Sequence, residues 1–245
     1  MPAIDQEMAH GLKAAKPLRL YEEIMLLAIH DVRRTLNATQ TNIAVAAAVI
    51  VELTLLGRLD IIGRRRLVVE VLDSTPTGWP VLDTMLDRIA SASRPESAKA
   101  CIARLARTND LRAMAAQQLV ADGALGDQER SLLLFFTRAT FPELDPTREA
   151  AIDERLRVAI FTDNGPVDER TALLVGLAQA TKLLNRKFSR AQLKSRSPRI
   201  AQITSGDKAS VAAKKALTAA RVTAGALAGA GIFRALPSRI QERFQ

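Results

Sequence analysis

The feature that most constrains the fold is an almost continuously apolar stretch at residues 41–56, in which Glu52 is the only charged side chain. Its length and composition predict a helix that ends before Gly57, because glycine readily closes a helix. A helix with no polar face must be surrounded by other elements, so this segment is predicted to lie at the centre of a helix bundle. Its innermost apolar run, residues 43–51, is far shorter than the ~20 residues that span a bilayer.

Further helices are predicted on both sides of this segment. Residues 18–33 repeat apolar side chains at the helical period, with Tyr21, Ile24 and Leu27 on one face. Aromatic residues make up only 4% of the chain, so the core is expected to be aliphatic. The other predicted helices cover residues 81–91, 98–107, 110–121, 146–160, 168–184 and 209–235, and a break is predicted at residues 198–207.

Two short β-hairpins are predicted between the helices. In residues 58–71, two β-rich runs flank Gly63 and the triple arginine 64–66, which is expected at or near the turn. A strongly apolar run at residues 131–137 is predicted to be a strand of a second hairpin, with its turn near residues 127–130. The predicted fold class is therefore mainly α, with a central helix bundle surrounded by amphipathic helices and two short β-hairpins.

The basic charge of the chain is concentrated towards its C-terminal end. Residues 186–245 contain 13 Lys or Arg against two acids, a balance of +11, whereas the whole chain carries +9. Such a block is attracted to phosphates, on lipid or on nucleic acid. Three parts are predicted: a loose N-terminal arm at residues 1–17, a helical domain at 18–185, and a basic, Ala-rich segment at 186–245 that is helical and packs on the same domain.

Few residues in the sequence suggest catalysis. The chain has one cysteine, Cys101, and two histidines, His10 and His30, and none of them stands in a metal-binding or nucleophile–base motif. No catalytic residue, metal or cofactor is therefore predicted. The adjacent acids Glu22 and Glu23 point to different sides of a helix and are predicted to lie on solvated faces.

Five segments, in order and with similar spacing, resemble the Golgi phosphoprotein 3 family. The second of them looks like the most recognisable core motif of that family, and together they cover about residues 18–185. The segments are Leu20-Tyr-Glu-Glu-Ile-Met-Leu-Leu-Ala-Ile29, Val51-Glu-Leu-Thr-Leu-Leu-Gly-Arg-Leu-Asp60, Pro76-Thr-Gly78 with Leu82-Asp83, Leu119-Val-Ala-Asp-Gly-Ala-Leu125 with residues 132–137, and Arg170-Thr-Ala-Leu-Leu-Val-Gly-Leu-Ala-Gln-Ala180.

The resemblance implies a mainly α-helical fold and no enzymatic activity. Eukaryotic members are Golgi membrane proteins that bind phosphatidylinositol 4-phosphate and the short cytoplasmic tails of glycosyltransferases. A hydrophobic hairpin beside their lipid site contributes to membrane contact or self-association. The corresponding residues in this chain, which the resemblance assigns to membrane or oligomer contact, are Leu132, Leu133, Leu134, Phe135 and Phe136. The low aromatic content and the Ala- and Arg-rich composition suggest a bacterial member.

The lipid pocket of the eukaryotic members is matched at one position out of four. That pocket uses a Trp and an Arg near the second helix and two basic residues one helical turn apart. The corresponding residues here are Asn37, Ala46, Asn109 and Arg112, of which only Arg112 matches. A phosphomonoester needs several converging donors. Three further arginines are therefore candidates for the headgroup site together with Arg112, namely Arg107, Arg33 and Arg34.

The expected function is a non-enzymatic, peripheral membrane-surface binding module, cytoplasmic and peripherally membrane-associated. Its expected partners are an anionic membrane surface or a phosphoinositide-like headgroup, a protein, or a second copy of the chain as a homo-oligomer. One alternative is a protein-interaction scaffold that binds no lipid. Another is a DNA-binding protein that uses the helix–hairpin units, which requires a basic recognition helix. No nucleic acid is expected, because Glu52 is the only charge in residues 41–56 and Arg112 is the only basic residue in 110–121.

Overall fold

The computed structural model describes residues 17–29, 38–63, 66–108, 110–125, 146–163, 165–205, 211 and 214–218. Within these residues the fold is mainly α-helical, with one two-stranded antiparallel sheet. In chain order the elements are α1 Leu20–Ile29, α2 Ala38–Leu55, β1 Leu59–Ile62, β2 Val68–Val71, α3 Pro80–Ala90, α4 Ala98–Ala106, α5 Leu111–Ala121, α6 Pro146–Phe161, α7 Glu169–Ala180, α8 Leu184–Lys187, α9 Arg190–Ser195 and α10 Ser197–Ser205.

Helix α2 lies at the centre of the fold. It contacts α1, α3, α4, α5, α7 and β1, and all of its side chains at residues 43–54 are buried. Alanine at positions 44 and 46–48 lets these neighbours approach its backbone closely. The prediction that a helix without a polar face occupies the centre of a bundle is confirmed.

Helices α2 and α5 end in the same way. Gly57 and Gly123 both adopt a left-handed conformation with φ of 69°, two residues after the last residue of each helix. The following residues close the helices, because Arg58 N–H donates to the Leu53 carbonyl at 2.9 Å and Ala124 N–H donates to the Leu119 carbonyl at 2.8 Å. This hydrogen-bond pattern satisfies carbonyls that would otherwise lack a partner at the helix end.

Strands β1 and β2 form the first predicted hairpin. Their register pairs Leu59 with Val71 and Ile62 with Val68. Gly63 follows β1 with φ of 98°, and a Cβ atom there would lie 2.3 Å from the carbonyl oxygen of Arg66, so only glycine fits this turn. The second predicted hairpin, at residues 131–137, lies outside the described residues.

The outer edge of β2 is joined to the start of α4. Val69 N–H donates to the Glu96 carbonyl at 3.0 Å, and Ala98 N–H donates to the Leu67 carbonyl at 2.8 Å. Backbone groups that an isolated hairpin would expose are thereby partly paired. These bonds hold the hairpin next to the loop between α3 and α4.

Helix α10 occupies residues 198–205 of the break that was predicted at residues 198–207. That prediction is wrong because Pro198 lies in the first turn of α10, where a missing N–H removes no intrahelical bond. The helix contacts α6 and α7 and buries Ile200 and Ile203. Ala216 and Leu217, further along the chain, are also buried in the core.

Candidate functional site

Two of the four arginines predicted to bind a headgroup lie in the described part of the chain, on either side of the turn between α4 and α5. Arg107 is the C-cap residue of α4 and is exposed, a position where its charge is favourable to the helix dipole. Arg112 lies in the first turn of α5, and burial lowers the pKa of its guanidinium. Arg33 and Arg34 lie outside the described residues.

An acidic residue, Asp110, lies between Arg107 and Arg112 in the sequence. Asp110 is the N-cap residue of α5, and its carboxylate accepts hydrogen bonds from Arg88 Nη1 at 3.1 Å and Arg88 Nη2 at 2.7 Å. These two bonds hold the pKa of Asp110 below its usual range, so the group is charged at neutral pH. Asp110 and Arg88 therefore form an ion pair at the start of α5, and the Asp110 carboxylate occupies the position where an external anion would meet the helix N-terminus.

Ala46, which corresponds to the pocket arginine of the eukaryotic members, is enclosed by the core in this chain. Ala46 is 0% exposed in the middle of α2, so a longer side chain there would have to displace its neighbours. Asn37 and Asn109 lie outside the described residues, as do Leu132 to Phe136 of the second predicted hairpin. The role predicted for that hairpin in membrane or oligomer contact stays a prediction.

Many of the basic side chains described after residue 185 are bound within the fold. Lys187 Nζ donates to Asp153 Oδ2 at 2.8 Å and also pairs with Glu149, which joins α8 to α6. Arg199 donates to the carbonyls of Ala159 and Gly165, at 3.2 and 2.6 Å. Three further basic side chains make similar contacts: Arg186 with the Ala28 carbonyl, Arg196 with Asp163, and Lys215 with Asp60.

Three other basic side chains of this segment point to solvent. Arg190 and Lys194 are exposed on α9, and Lys214 is exposed beyond α10. Their side chains make no hydrogen bond or ion pair with the part of the chain that the structure describes. These three, and not the whole segment, are the described positions where its charge is available to an external anion.

Three acidic side chains are buried where α1 crosses α2. Glu22, Glu23 and Glu52 are only 2%, 3% and 2% exposed. The prediction that Glu22 and Glu23 lie on solvated faces is wrong, because α1 is packed against α2, α5, α6 and α7 and so has no free side at its first turn. We call these three glutamates, with Arg19, Arg155 and Arg170, the Glu–Arg cluster.

Glu52 and Glu22 bind the first turn of α1. Glu52 Oε2 accepts the N–H of Leu20 at 2.7 Å, and its Oε1 lies 3.4 Å from Arg170 Nη1. Glu22 Oε2 accepts the N–H of Arg19 at 2.6 Å, and its Oε1 accepts the Tyr21 hydroxyl at 3.1 Å. These carboxylates satisfy N–H groups at a helix start that has no internal acceptor for them.

Glu23 is held by arginines from two other helices. Arg155 of α6 donates to Glu23 Oε1 at 2.8 Å, and Arg170 of α7 lies 3.7 Å from Glu23 Oε2. Burial nevertheless raises the pKa of both Glu22 and Glu23 above the ordinary value. A signal for this cluster was present in the sequence: Glu52 is the only charge in an apolar helix, and a buried charge requires a partner.

The raised pKa of Glu23 predicts a specific dependence of stability on pH. An acid whose pKa is higher in the folded state binds more protons there than in the unfolded chain, where its pKa is about 4.3. Its contribution therefore grows as pH falls from the folded pKa towards the unfolded one. We expect the free energy of unfolding of the wild type, minus that of Glu23→Gln, to rise as pH falls from 7 towards 5, as measured by urea denaturation.

The exposed Glu154 provides the control for this pH series. It pairs with Arg157 on the surface of α6, where water screens the ion pair, so Glu154→Gln should change the free energy of unfolding by less than about 0.5 kcal/mol. A difference for Glu23→Gln that falls on acidification would show that its arginine partners outweigh burial, and would contradict the direction given above.

The loop before α3 is held by another of the family-like residues. Asp83 Oδ1 accepts both the N–H and the hydroxyl of Thr77 at 2.6 Å, and Oδ2 accepts the N–H of Gly78 at 3.2 Å. Arg19 lies 3.6 Å above the centre of the Trp79 ring, which ties this loop to the start of α1. The Pro-Thr-Gly segment thus forms a fixed turn in the fold.

Neither a reactive thiol nor a metal site is found among the described residues. Cys101 is buried, and burial raises the pKa of its thiol to about 12, so it is protonated at neutral pH. No group of three or more His, Cys, Asp or Glu side chains in the described ranges is arranged to hold a metal ion. Within the same ranges, every helix is too short or too polar to cross a membrane.

Comparison with known proteins identifies one family. A search of curated proteins finds no match. The sequence model of the family Golgi phosphoprotein 3 (GPP34) matches residues 20–220. That range begins with α1, includes every element named above, and extends beyond the family-like motifs, which end at Ala180. The chain therefore belongs to the Golgi phosphoprotein 3 (GPP34) family.

Proposed function

We propose that this protein is a non-enzymatic module that binds the surface of anionic membranes from the cytoplasmic side. The observation that carries the proposal is family membership over residues 20–220. The family that the motifs resemble includes eukaryotic adaptors that bind a phosphoinositide and the tails of membrane enzymes. A net charge of +9 is consistent with an anionic surface as the partner.

The binding that we propose depends mainly on charge and discriminates little between headgroups. Support comes from the family pocket, in which three of four positions differ, and from the closed environment of Ala46. Exposed basic side chains at Arg190, Lys194 and Lys214 are available to lipid phosphates. Each Lys or Arg close to an anionic surface contributes about 1 kcal/mol, so three acting together give a measurable affinity.

The test is flotation with liposomes that contain phosphatidylserine or phosphatidylinositol 4-phosphate, matched for charge. Point variants are preferable to removal of residues 186–245, because that deletion would also take Ile200 and Ile203 out of the core. Combining Arg190→Ala, Lys194→Ala and Lys214→Ala is expected to weaken binding to both liposomes by roughly 100-fold. Raising the ionic strength should weaken wild-type binding to both as well.

A charge-conserving variant serves as the matched control. Arg190→Lys combined with Lys194→Arg and Lys214→Arg keeps every charge and should keep the affinity. A strong preference for the phosphoinositide that survives the triple alanine substitution would contradict charge-based binding and direct attention to Arg112. Failure to bind either liposome would reject the membrane module. A protein scaffold would then remain, or a DNA-binding protein if duplex DNA binds in the same buffer.

A further inference from the structure

A groove lies between Arg66, which precedes β2, and the loop that connects α3 to α4. Its cavity has a volume of about 410 Å³. That size is within the range of small-molecule sites and too small for a folded partner. We call it the arginine groove, because the charged residues that line it are Arg66, Arg88, Arg94, Arg104 and Glu96.

Two of the arginines are held in place by the fold. Arg88 is fixed by its two hydrogen bonds to Asp110. Arg104 Nε donates to Glu96 Oε2 at 2.9 Å, and its Nη1 donates to the carbonyl of Arg88 at 3.2 Å. These contacts position two guanidinium groups at the groove and limit the entropy that they would lose on binding a ligand.

The other two arginines are available. Arg66 and Arg94 are exposed, and neither side chain has a hydrogen bond or ion pair with the described residues. Arg66 follows the hairpin turn, whereas Arg94 belongs to the loop before α4. Two free guanidinium groups therefore approach the groove from different elements, and two anchored ones lie within it.

The electrostatics of the groove favour an anion with more than one negative charge. Four arginines and one glutamate line it, and Asp110 neutralises Arg88 from behind, so the local balance is +2. The groove also borders the start of α4, a nine-residue helix whose N-cap is Ser97, where the helix dipole is positive. The Ser97 hydroxyl already accepts the N–H of Ala100 at 3.2 Å, so recognition would depend on the arginines.

We propose that the arginine groove binds a phosphomonoester group. Such a group carries close to two negative charges and offers three oxygens, which match the planar, two-pronged donor pattern of arginine. A single carboxylate would neutralise less of the lining charge. The phosphate can belong to a lipid headgroup or to a soluble phosphorylated molecule. This inference goes beyond the proposed function, because it concerns a defined site and not a surface of diffuse charge.

The test measures binding of glycerol 3-phosphate to the full chain by calorimetry, with acetate at equal ionic strength as the comparison. In parallel, flotation compares phosphatidic acid, a phosphomonoester lipid, with phosphatidylserine at matched charge. Combining Arg66→Ala with Arg94→Ala should weaken phosphate binding at least tenfold, because each removes hydrogen bonds from a charged donor. Both residues are exposed and unpaired in the described structure, so circular dichroism should show an unchanged fold.

The matched control is Arg157→Ala combined with Lys182→Ala, which removes two exposed charges that belong neither to the groove nor to the basic positions proposed for membrane contact. It should change phosphate binding by less than twofold. Loss of glycerol 3-phosphate binding in the groove variant alone supports a soluble ligand. Loss of a preference for phosphatidic acid in that variant alone supports a lipid headgroup. The proposal is overturned if the groove variant and the control variant bind the phosphate ligands equally well. It is also overturned if the wild type prefers neither glycerol 3-phosphate over acetate nor phosphatidic acid over phosphatidylserine. If the wild type does not bind phosphatidylserine liposomes, the charge-based membrane contact of the proposed function is rejected. The calorimetric measurement with glycerol 3-phosphate still tests the arginine groove in that case.

Discussion

Replacing Glu52 by alanine is expected to lower the free energy of unfolding by about 2–4 kcal/mol. The substitution leaves the N–H of Leu20, at a fully buried residue, without its acceptor. It also removes the carboxylate that faces Arg19 and Arg170. These arginines are 22% and 32% exposed, so water solvates them in part and the loss stays below that of a fully buried pair. Urea denaturation of the variant and the wild type measures the effect.

Two comparison variants separate the sources of this loss. Glu52→Gln keeps an oxygen that can accept the Leu20 N–H and removes only the charge, so its destabilisation should lie between those of wild type and Glu52→Ala. Glu154→Ala deletes a carboxylate whose ion pair with Arg157 is on the surface, and a change within about 0.5 kcal/mol is expected. A loss under 1 kcal/mol for Glu52→Ala would mean that the Glu–Arg cluster does not hold α1 on α2.

Introducing arginine at Ala46, as the eukaryotic pocket has it, is expected to destabilise the fold by about 3 kcal/mol or more. Ala46 is fully buried in the central helix, so the new side chain must displace neighbours of α2 and place a charge among apolar groups. Because domains of this kind are stable by only about 5–15 kcal/mol, a large drop in melting temperature is expected. Thermal unfolding followed by circular dichroism provides the measurement.

The matched control for Ala46→Arg is Gln117→Arg. Gln117 is exposed on α5, so the same side chain at this helical position should change stability by less than about 0.5 kcal/mol. If Ala46→Arg unfolds at the wild-type temperature and gains selective binding to phosphatidylinositol 4-phosphate, then position 46 is open in solution, and the family pocket can be rebuilt from this chain. Because Ala46 is fully buried, we expect Ala46→Arg to unfold below the wild-type temperature and to gain no selective binding.

The residues that carry the family resemblance have structural roles in the described part of the chain. Glu22, Glu23 and Arg170 are in the Glu–Arg cluster, Glu52 joins α2 to the start of α1, and Asp83 fixes the turn before α3. Such motifs identify the fold well, because the contacts they form are needed to build it. These motifs do not identify the ligand, because most of their side chains are engaged within the fold. Exposed side chains such as Arg66 and Arg94 are better candidates for contacting a ligand.

Local patterns in the sequence were sufficient to predict much of the fold. The apolar stretch at residues 41–56 predicted the central helix, since its side chains have no polar face to turn towards water. Gly57 and the two β-rich runs around Gly63 predicted the helix end and the first hairpin, because both features depend on backbone conformations that glycine adopts easily. Each of these signals lies within a few residues of the structure that it specifies.

Burial and long-range pairing were decided only by the tertiary structure. Glu23 meets Arg155 132 residues away, and Lys215 pairs with Asp60 over 155 residues, so no local pattern relates them. The same packing encloses the acids that helical periodicity placed on solvated faces, and engages several of the basic residues that charge counting treated as free. The arginine groove likewise needs residues from the hairpin, α3, the following loop and α4. Charge alone is a property of the sequence, but its availability to a ligand depends on which neighbours the fold brings within hydrogen-bond distance.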